Sequence, residues 1–346
     1  MATRKVRVTS FDVAALAGVS QSTVSRALSG DPSISEATRL RVTEAARQLD
    51  YFGNENAIRL RTGRTNTLAV VVICREDEES KDVNPFHYSL LGSICAAASA
   101  RRYEVLVSFQ AARETLFAHY QDQRKADGLI VIGTTDNKAA WDYFHGQQDH
   151  ITWVCWGSPF DDLEWIRSDN QQGGMVATQH LLAQGYRRIA CLASLDSPQK
   201  QFAERYEGYA EAMRAAGLEP RLCPIEEGLP REEQGRRAVA RLVEEAEGFD
   251  AVFAVSDLIA LGAMSELGER GIKVPGDVGV VGFDALRQGA YSSPTLTSIE
   301  PDFDLAGKML VENLLMAIDG RHSESRRVPV RLLVRGSTAR AATGPA

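Results

Sequence analysis

The sequence predicts two structural classes in one chain: a small all-α helix-turn-helix headpiece at the N-terminus, then a two-lobed α/β body with parallel sheets. Three observations carry this. Residues 9–28 hold two short helix-like segments separated by Gly18. From Thr67 onward, apolar strand-like runs alternate with amphipathic stretches, the pattern of a parallel sheet with crossover helices. The alternation lasts long enough for two sheets, and two open lobes joined by crossovers leave a cleft at the carboxyl ends of their strands.

In the headpiece, Thr9 is placed to N-cap a first helix, with Asp12 three residues later answering the free N–H groups. Phe11, Val13, Ala14, Leu16 and Ala17 supply its apolar body. Gly18 sits where the chain must turn sharply and a positive φ suits glycine. Ser20 caps a second helix, on which Val24, Ala27 and Leu28 recur at i, i+3 and i+4 and face inward. Gln21, Ser22, Ser25, Arg26 and Ser29 fall on the other face. Arginine pairs with guanine, glutamine with adenine, and serine with bases or phosphates, so this face suits the DNA major groove. Polarity alone would equally describe a solvated helical hairpin. After the turn-rich SGDPSIS, Ser35 and Glu36 open a third helix to about Leu49, with Leu40, Ala45, Ala46 and Leu49 closing the core.

The body begins with a buried strand, Leu68–Ile73, then an amphipathic helix from Pro85 to about Arg101. A strand at Val105–Val107, a helix from Ala112 to Arg124 and a strand at Gly128–Ile132 follow. The pattern repeats with strands at Trp153–Cys155, Ile189–Leu192, Ala251–Val255 and Gly279–Gly282. Between them fall helices from Gly174 to Gln184, Gln201 to Ala216 and Leu258 to Arg270.

The chain has 346 residues, 44% hydrophobic and 25% charged, an ordinary globular composition with room for several domains. Its net charge of −7 conceals an asymmetry: residues 1–64 hold ten Lys/Arg and six Asp/Glu, against 29 and 40 in the remainder. DNA should therefore meet the N-terminal end, because an acidic body repels phosphate. The five cysteines are dispersed without metal spacing and read as reduced core or near-core thiols. The start MATRKVRVTS lacks the apolar stretch of an export signal, and no run of about 18 apolar residues suggests a membrane span. Nucleophile-elbow, phosphate-loop, dinucleotide and zinc-protease motifs are missing, which disfavours an enzyme.

The specific signal is the succession Asp12-Val13-Ala14, Gly18-Val19-Ser20 and Thr23-Val24-Ser25-Arg26-Ala27-Leu28, which closely resembles the headpiece of the LacI/GalR family of bacterial repressors. The resemblance runs on through Ser168-Asp169-Asn170, Gly185-Tyr186-Arg187-Arg188-Ile189-Ala190, Arg205-Tyr206-Glu207-Gly208-Tyr209 and Gly271 to Asp284, and reaches Ser293-Pro-Thr-Leu-Thr-Ser298. It implies a headpiece over 1–50, a hinge over 51–66 and a periplasmic-binding-protein-like body over 67–340, with a tail at 341–346. The N-lobe would take 67–167 and 303–326, and the C-lobe 168–299 and 327–340.

Carried over by resemblance, Thr9, Ser10, Ser20, Gln21, Ser22, Thr23, Ser25, Arg26, Ser29 and Ser33 would contact operator DNA. In the hinge, Asn54 and Ala57 would join them, and Leu60 would wedge into the minor groove; a plain linker with an exposed leucine is the other reading. Gly53 and Ile58 depart from the family pattern, which more often has proline and arginine there. In the cleft, Arg205 and Asp284 would hold a polar effector, a donor fork and a carboxylate together suiting a polyol. Phe86, His87, Trp156, Ser158, Phe160, Ser256 and Asp257 would line it, with Ser256 standing where asparagine is frequent.

The expected function is a ligand-responsive DNA-binding regulator, a repressor of carbohydrate-utilisation genes acting as a cytoplasmic homodimer on a palindromic operator. It would use no cofactor beyond a sugar effector. A sugar-binding transport receptor shares the two lobes but needs an export signal and no headpiece, and a sugar-processing enzyme would turn its ligand over. With no heptad tail after Arg340, a dimer is the expected assembly.

Overall fold

In a computed structural model, residues 8–51, 63–75, 83–160, 162–196 and 200–339 are described. The chain divides into two units, residues 1–66 and 67–346. In the first, α1 (Ser10–Ala17), α2 (Gln21–Leu28) and α3 (Glu36–Gln48) surround Val13, Ala14, Ala17, Val24, Ala27, Val42, Ala45 and Ala46. The Thr9 N–H donates to Asp12 Oδ2 at 2.8 Å, and Gly18 turns the chain at φ +66°. The Ser20 Oγ accepts from the Thr23 N–H at 3.2 Å. Three expected core residues are surface residues: Phe11, Leu16 and Leu40 are 70%, 51% and 66% exposed. The inward stripe of α1 runs through 13, 14 and 17, and that of α3 through 42, 45 and 46, so Val42 takes the place assigned to Leu40.

The second unit contains β1 (Thr67–Ile73), α4 (Pro85–Ala100), β2 (Glu104–Gln110), β3 (Gly128–Gly133), α5 (Lys138–Gly146), β4 (Trp153–Trp156) and β5 (Trp165–Ser168). It continues through α6 (Asn170–Ala183), β6 (Ile189–Ala193), α7 (Lys200–Ala215), β7 (Arg221–Pro224), α8 (Arg231–Glu244), β8 (Ala251–Ala254), α9 (Asp257–Glu269) and β9 (Gly279–Phe283). The last elements are α10 (Arg287–Ala290), β10 (Thr297–Pro301), α11 (Phe303–Ile318), β11 (Arg326–Val328) and β12 (Val330–Leu333). Two six-stranded sheets result, in the orders β11-β5-β4-β3-β1-β2 and β12-β10-β9-β8-β6-β7. Pairing is parallel except where β12 runs antiparallel to β10. The chain passes between lobes after β5, after β10 and after β11. The last passage falls at Pro329, not between 326 and 327, because β11 pairs with β5 through Val328.

One expected helix does not form. Between Ala112 and Arg124 only Arg113–Thr115 makes a helical turn. The buried Gln110 amide takes the backbone of the next residues: its Oε1 accepts from the Phe117 N–H at 2.8 Å, and its Nε2 donates to the Phe117 carbonyl at 3.1 Å. With those groups engaged sideways, an i to i+4 ladder cannot run through them. Helices α5, α8, α10 and α11, and strands β5, β7, β10, β11 and β12, are additional to the sequence reading.

Helices α6 and α7 lie unusually close. A Cβ on Gly174 would stand 2.0 Å from the Arg205 carbonyl oxygen, and one on Gly208 would stand 1.9 Å from that of Gln171. Only hydrogen fits at both crossings, and the backbone of Arg205 is fixed by the contact. Gly208→Ala should therefore force the helices apart at a cost of about 1–3 kcal/mol, lowering the melting temperature by several degrees in a thermal unfolding scan. An unchanged melting temperature would mean the helix pair is not closely packed.

Candidate functional site

Between the lobes of the second unit lies a cavity of about 550 Å³, within the usual range for small-ligand sites. Its walls come from loops at the carboxyl ends of β1, β3, β4, β8 and β9 and from the first turns of α4, α7 and α8. Phe86, His87, Trp156, Arg205, Ser256 and Asp284 line it, as do Arg75, Thr135, Asp136, Phe202 and Arg231.

Arg205, 6% exposed, is held on several sides. Its Nε donates to Asn170 Oδ1 at 2.9 Å, and its Nη1 donates to the Val255 carbonyl at 2.6 Å. Its Nη2 lies 3.4 Å from Asp284 Oδ1, and the guanidinium carbon stands 3.5 Å from the Phe283 ring centroid. Burial raises the pKa of Asp284 to about 6 against the opposing pull of Arg205 and Arg231. Asp284 has φ +106°, a conformation that L residues rarely adopt.

That turn is held from beneath. The Leu286 N–H donates to Asp257 Oδ2 at 2.6 Å, Ser298 Oγ lies 2.6 Å from Asp257 Oδ1, and the Ala285 N–H donates to Ser298 Oγ at 3.0 Å. Burial, with Asp284 nearby, pushes Asp257 well above the usual carboxylate range. Asp257 thus supports the turn and does not line the cavity. Ser158 and Phe160 also lie outside the lining: the Ser158 hydroxyl accepts from the Phe160 N–H at 2.9 Å, and the Phe160 ring stacks on His145 at 4.2 Å. Both belong to a loop that folds back on α5 rather than turning to the cleft.

Phe86 and Trp156, with centroids 5.7 Å apart, are also core residues of the N-lobe and present little surface to the cavity. Burial, with Arg231 nearby, lowers the pKa of His87 to about 4, so its imidazole is neutral at pH 7. Ser256 N-caps α9, its Oγ accepting from the Ile259 N–H at 3.4 Å. Sequence reasoning missed Phe202, one turn before Arg205; Thr135 and Asp136, just past the end of β3; and Arg231, which follows Pro230 at the start of an unread helix.

A second network joins this site to the crossovers. Asn170 Nδ2 donates to Glu204 Oε2 at 2.8 Å, while Glu204 Oε1 lies 2.9 Å from Arg167 Nη2 on β5 and 3.3 Å from Arg327 Nη2 on β11. The Arg167 guanidinium stacks 3.5 Å over the Trp165 ring.

In the headpiece, Gln21, Ser22, Ser25 and Arg26 form the exposed face of α2, Ser29 is its exposed C-cap, and Ser33 is exposed in the following loop. Ser10 is partly buried and its Oγ accepts from Gln21 Nε2 at 3.2 Å, linking the two helices. Thr9, Ser20 and Thr23 belong to the capping arrangements. Asn54, Ala57 and Leu60, with Gly53 and Ile58, lie outside the described residues.

Residues 11–54 match the family model described as bacterial regulatory proteins, lacI family, and residues 178–338 that of the periplasmic binding protein-like domain. The HTH-type transcriptional regulator CelR of Thermobifida fusca is 34% identical over 343 residues, 96% of each chain. The HTH-type transcriptional repressor CytR of Escherichia coli (strain K12) is 30% identical over 347 residues, 97% of each. A CelR–cellobiose complex matches with a TM-score of 0.67 at 30% identity, covering 96% of this chain and 100% of that one. The lac repressor dimer bound to operator and the anti-inducer ONPF gives a TM-score of 0.76 at 26% identity, with 96% and 99% covered. The chain belongs to the lacI family of bacterial regulatory proteins, and it is a ligand-responsive DNA-binding transcriptional regulator, not an enzyme.

Proposed function

We propose that this regulator is a cytoplasmic repressor of carbohydrate-utilisation genes. It binds a near-palindromic operator as a homodimer, through the headpiece over 1–50 and the hinge over 51–66, and takes a polyhydroxylated effector between the lobes of 67–340. The observation that carries the effector reading is the buried Arg205–Asp284 pair facing a cavity between two lobes. A guanidinium fork beside a carboxylate offers donors and acceptors in the arrangement that vicinal hydroxyls need. The binding of cellobiose by CelR, similar over nearly the whole chain, supports a sugar. On the DNA side, Gln21, Ser22, Ser25 and Arg26 enter the major groove, and Asn54, Ala57 and Leu60 contact the minor groove.

Duplexes selected from random DNA by the full-length protein should contain inverted half-sites. Arg26→Ala should relax preference at one base pair per half-site, costing about 1–3 kcal/mol at each. Log affinity should fall steeply and linearly with log salt. Selection of sequences without two-fold symmetry, or an Arg26→Ala variant with unchanged preference, would contradict this assignment.

For the effector, a thermal-shift screen over mono- and disaccharides should find a stabilising ligand. By calorimetry, Arg205→Ala should weaken that sugar by about 2–4 kcal/mol, since a charged partner is lost and Asp284 is left unpaired. The pH dependence follows from Asp284. With its pKa raised to about 6, the carboxylate accepts from hydroxyls at pH 7–8, and affinity falls as the pH drops through about 6. Asp284→Asn should bind weakly and without that dependence. A wild-type affinity that is flat from pH 7.5 to 5 would remove Asp284 from the contact.

A further inference from the structure

The cavity holds a second arginine–carboxylate pair besides Arg205–Asp284. Arg231, at the first position of α8, reaches across the cleft, its Nη2 lying 3.3 Å from Oδ2 of Asp136 in the loop after β3. One partner belongs to each lobe. Its Nη1 donates to Gln234 Oε1 at 2.9 Å, so two of the five N–H groups of the fork are used within the protein. A second contact across the cleft, from Arg75 Nη2 in the loop after β1 to the Gly228 carbonyl before α8 at 2.8 Å, holds this side of the cleft.

The two pairs are one aromatic ring apart. The Phe202 centroid lies 4.8 Å from the Arg231 guanidinium carbon and 6.0 Å from that of Arg205, and the ring itself lines the cavity. Beside Asp136, Thr135 is 4% exposed, and its buried Oγ1 has no hydrogen-bond partner among the described residues. A buried hydroxyl in a lining residue that nothing answers is a polar group awaiting a match.

From these observations we infer that the cavity has two polar stations, and that Arg231, Asp136 and Thr135 form the second, making the effector a disaccharide rather than a single sugar. This rests on the sugar reading of the same cavity. One ring engages Arg205 and Asp284; the second presents hydroxyls to Arg231, Asp136 and Thr135; Phe202 packs against the apolar stretch between them. The lining balances three arginines, Arg75, Arg205 and Arg231, with three carboxylates, Asp136, Glu232 and Asp284, so the cavity selects neutral hydroxyl-bearing ligands over anions, which would meet those carboxylates as repulsive neighbours. A monosaccharide leaves one station unanswered, and unanswered buried polar groups penalise binding.

The test is calorimetry with the full-length protein at pH 7.5, using cellobiose, lactose and maltose against glucose, galactose and methyl β-glucoside. The wild type should bind one disaccharide at least about tenfold more tightly than its component monosaccharides. Arg231→Gln and Asp136→Asn should each reduce that disaccharide's affinity by about tenfold while leaving the monosaccharides within about twofold. Arg205→Ala should weaken both classes. The monosaccharide values show that Arg231→Gln and Asp136→Asn are folded, and a cooperative thermal unfolding transition shows it for Arg205→Ala. Equal losses for both classes would mean the Arg231–Asp136 pair is only a clasp between lobes and would overturn the inference, as would a wild type that prefers monosaccharides. A wild type that binds none of the six, yet binds operator DNA, would overturn the sugar reading itself and this inference with it.

Discussion

A buried guanidinium organises the ligand-binding body. A charge withdrawn from water is tolerated only when its donors are answered, and each answer to Arg205 fixes a different element. Asn170 stands at the start of α6, Val255 follows β8, and Phe283 and Asp284 end β9 and begin its exit turn. Three separate pieces of the C-lobe therefore converge on one side chain. The same asparagine donates to Glu204, which meets Arg167 and Arg327 on the crossover strands β5 and β11. A continuous path of polar contacts thus runs from the cavity wall to the segments about which the lobes join.

The arrangement depends on two local features that are costly elsewhere. The close approach of α6 and α7 requires hydrogen at Gly174 and Gly208, where a methyl would meet a backbone oxygen. The turn at Asp284 holds a positive φ at a non-glycine residue and is kept in place by Asp257 and Ser298 below it. Rarely adopted backbone conformations tend to occur where a side chain must be aimed. Here the aimed side chain is the carboxylate beside Arg205.

Periodicity made the two-class architecture legible. Val24 and Ala27 on α2 and the uniformly buried β1 stand where period 3.6 and a continuous apolar run put them. Periodicity failed at Phe11, Leu16 and Leu40, where apolar character did not coincide with the inward stripe, and at residues 112–124, where the Gln110 side chain captured backbone groups from outside the local window. Arg205 and Asp284 could be placed at the cavity because a motif spanned each of them. Arg231 and Asp136 could not: they are far apart in sequence and meet only when the two lobes face each other. Asp257 lies beside the cavity-lining Ser256, yet its side chain turns inward to Leu286 and Ser298, a direction that sequence spacing does not encode.

If a sugar in the cleft is coupled to DNA at the headpiece, as proposed, the coupling between the two ligands is reciprocal. The most direct measurement is the affinity of the best-stabilising sugar for the full-length protein, free and saturated with selected operator DNA at fixed salt, beside the affinity for that DNA with and without the sugar. Both ratios should differ from one and be equal, about 5-fold to 150-fold for ordinary coupling energies. A sugar affinity that is the same with and without operator would contradict the coupling.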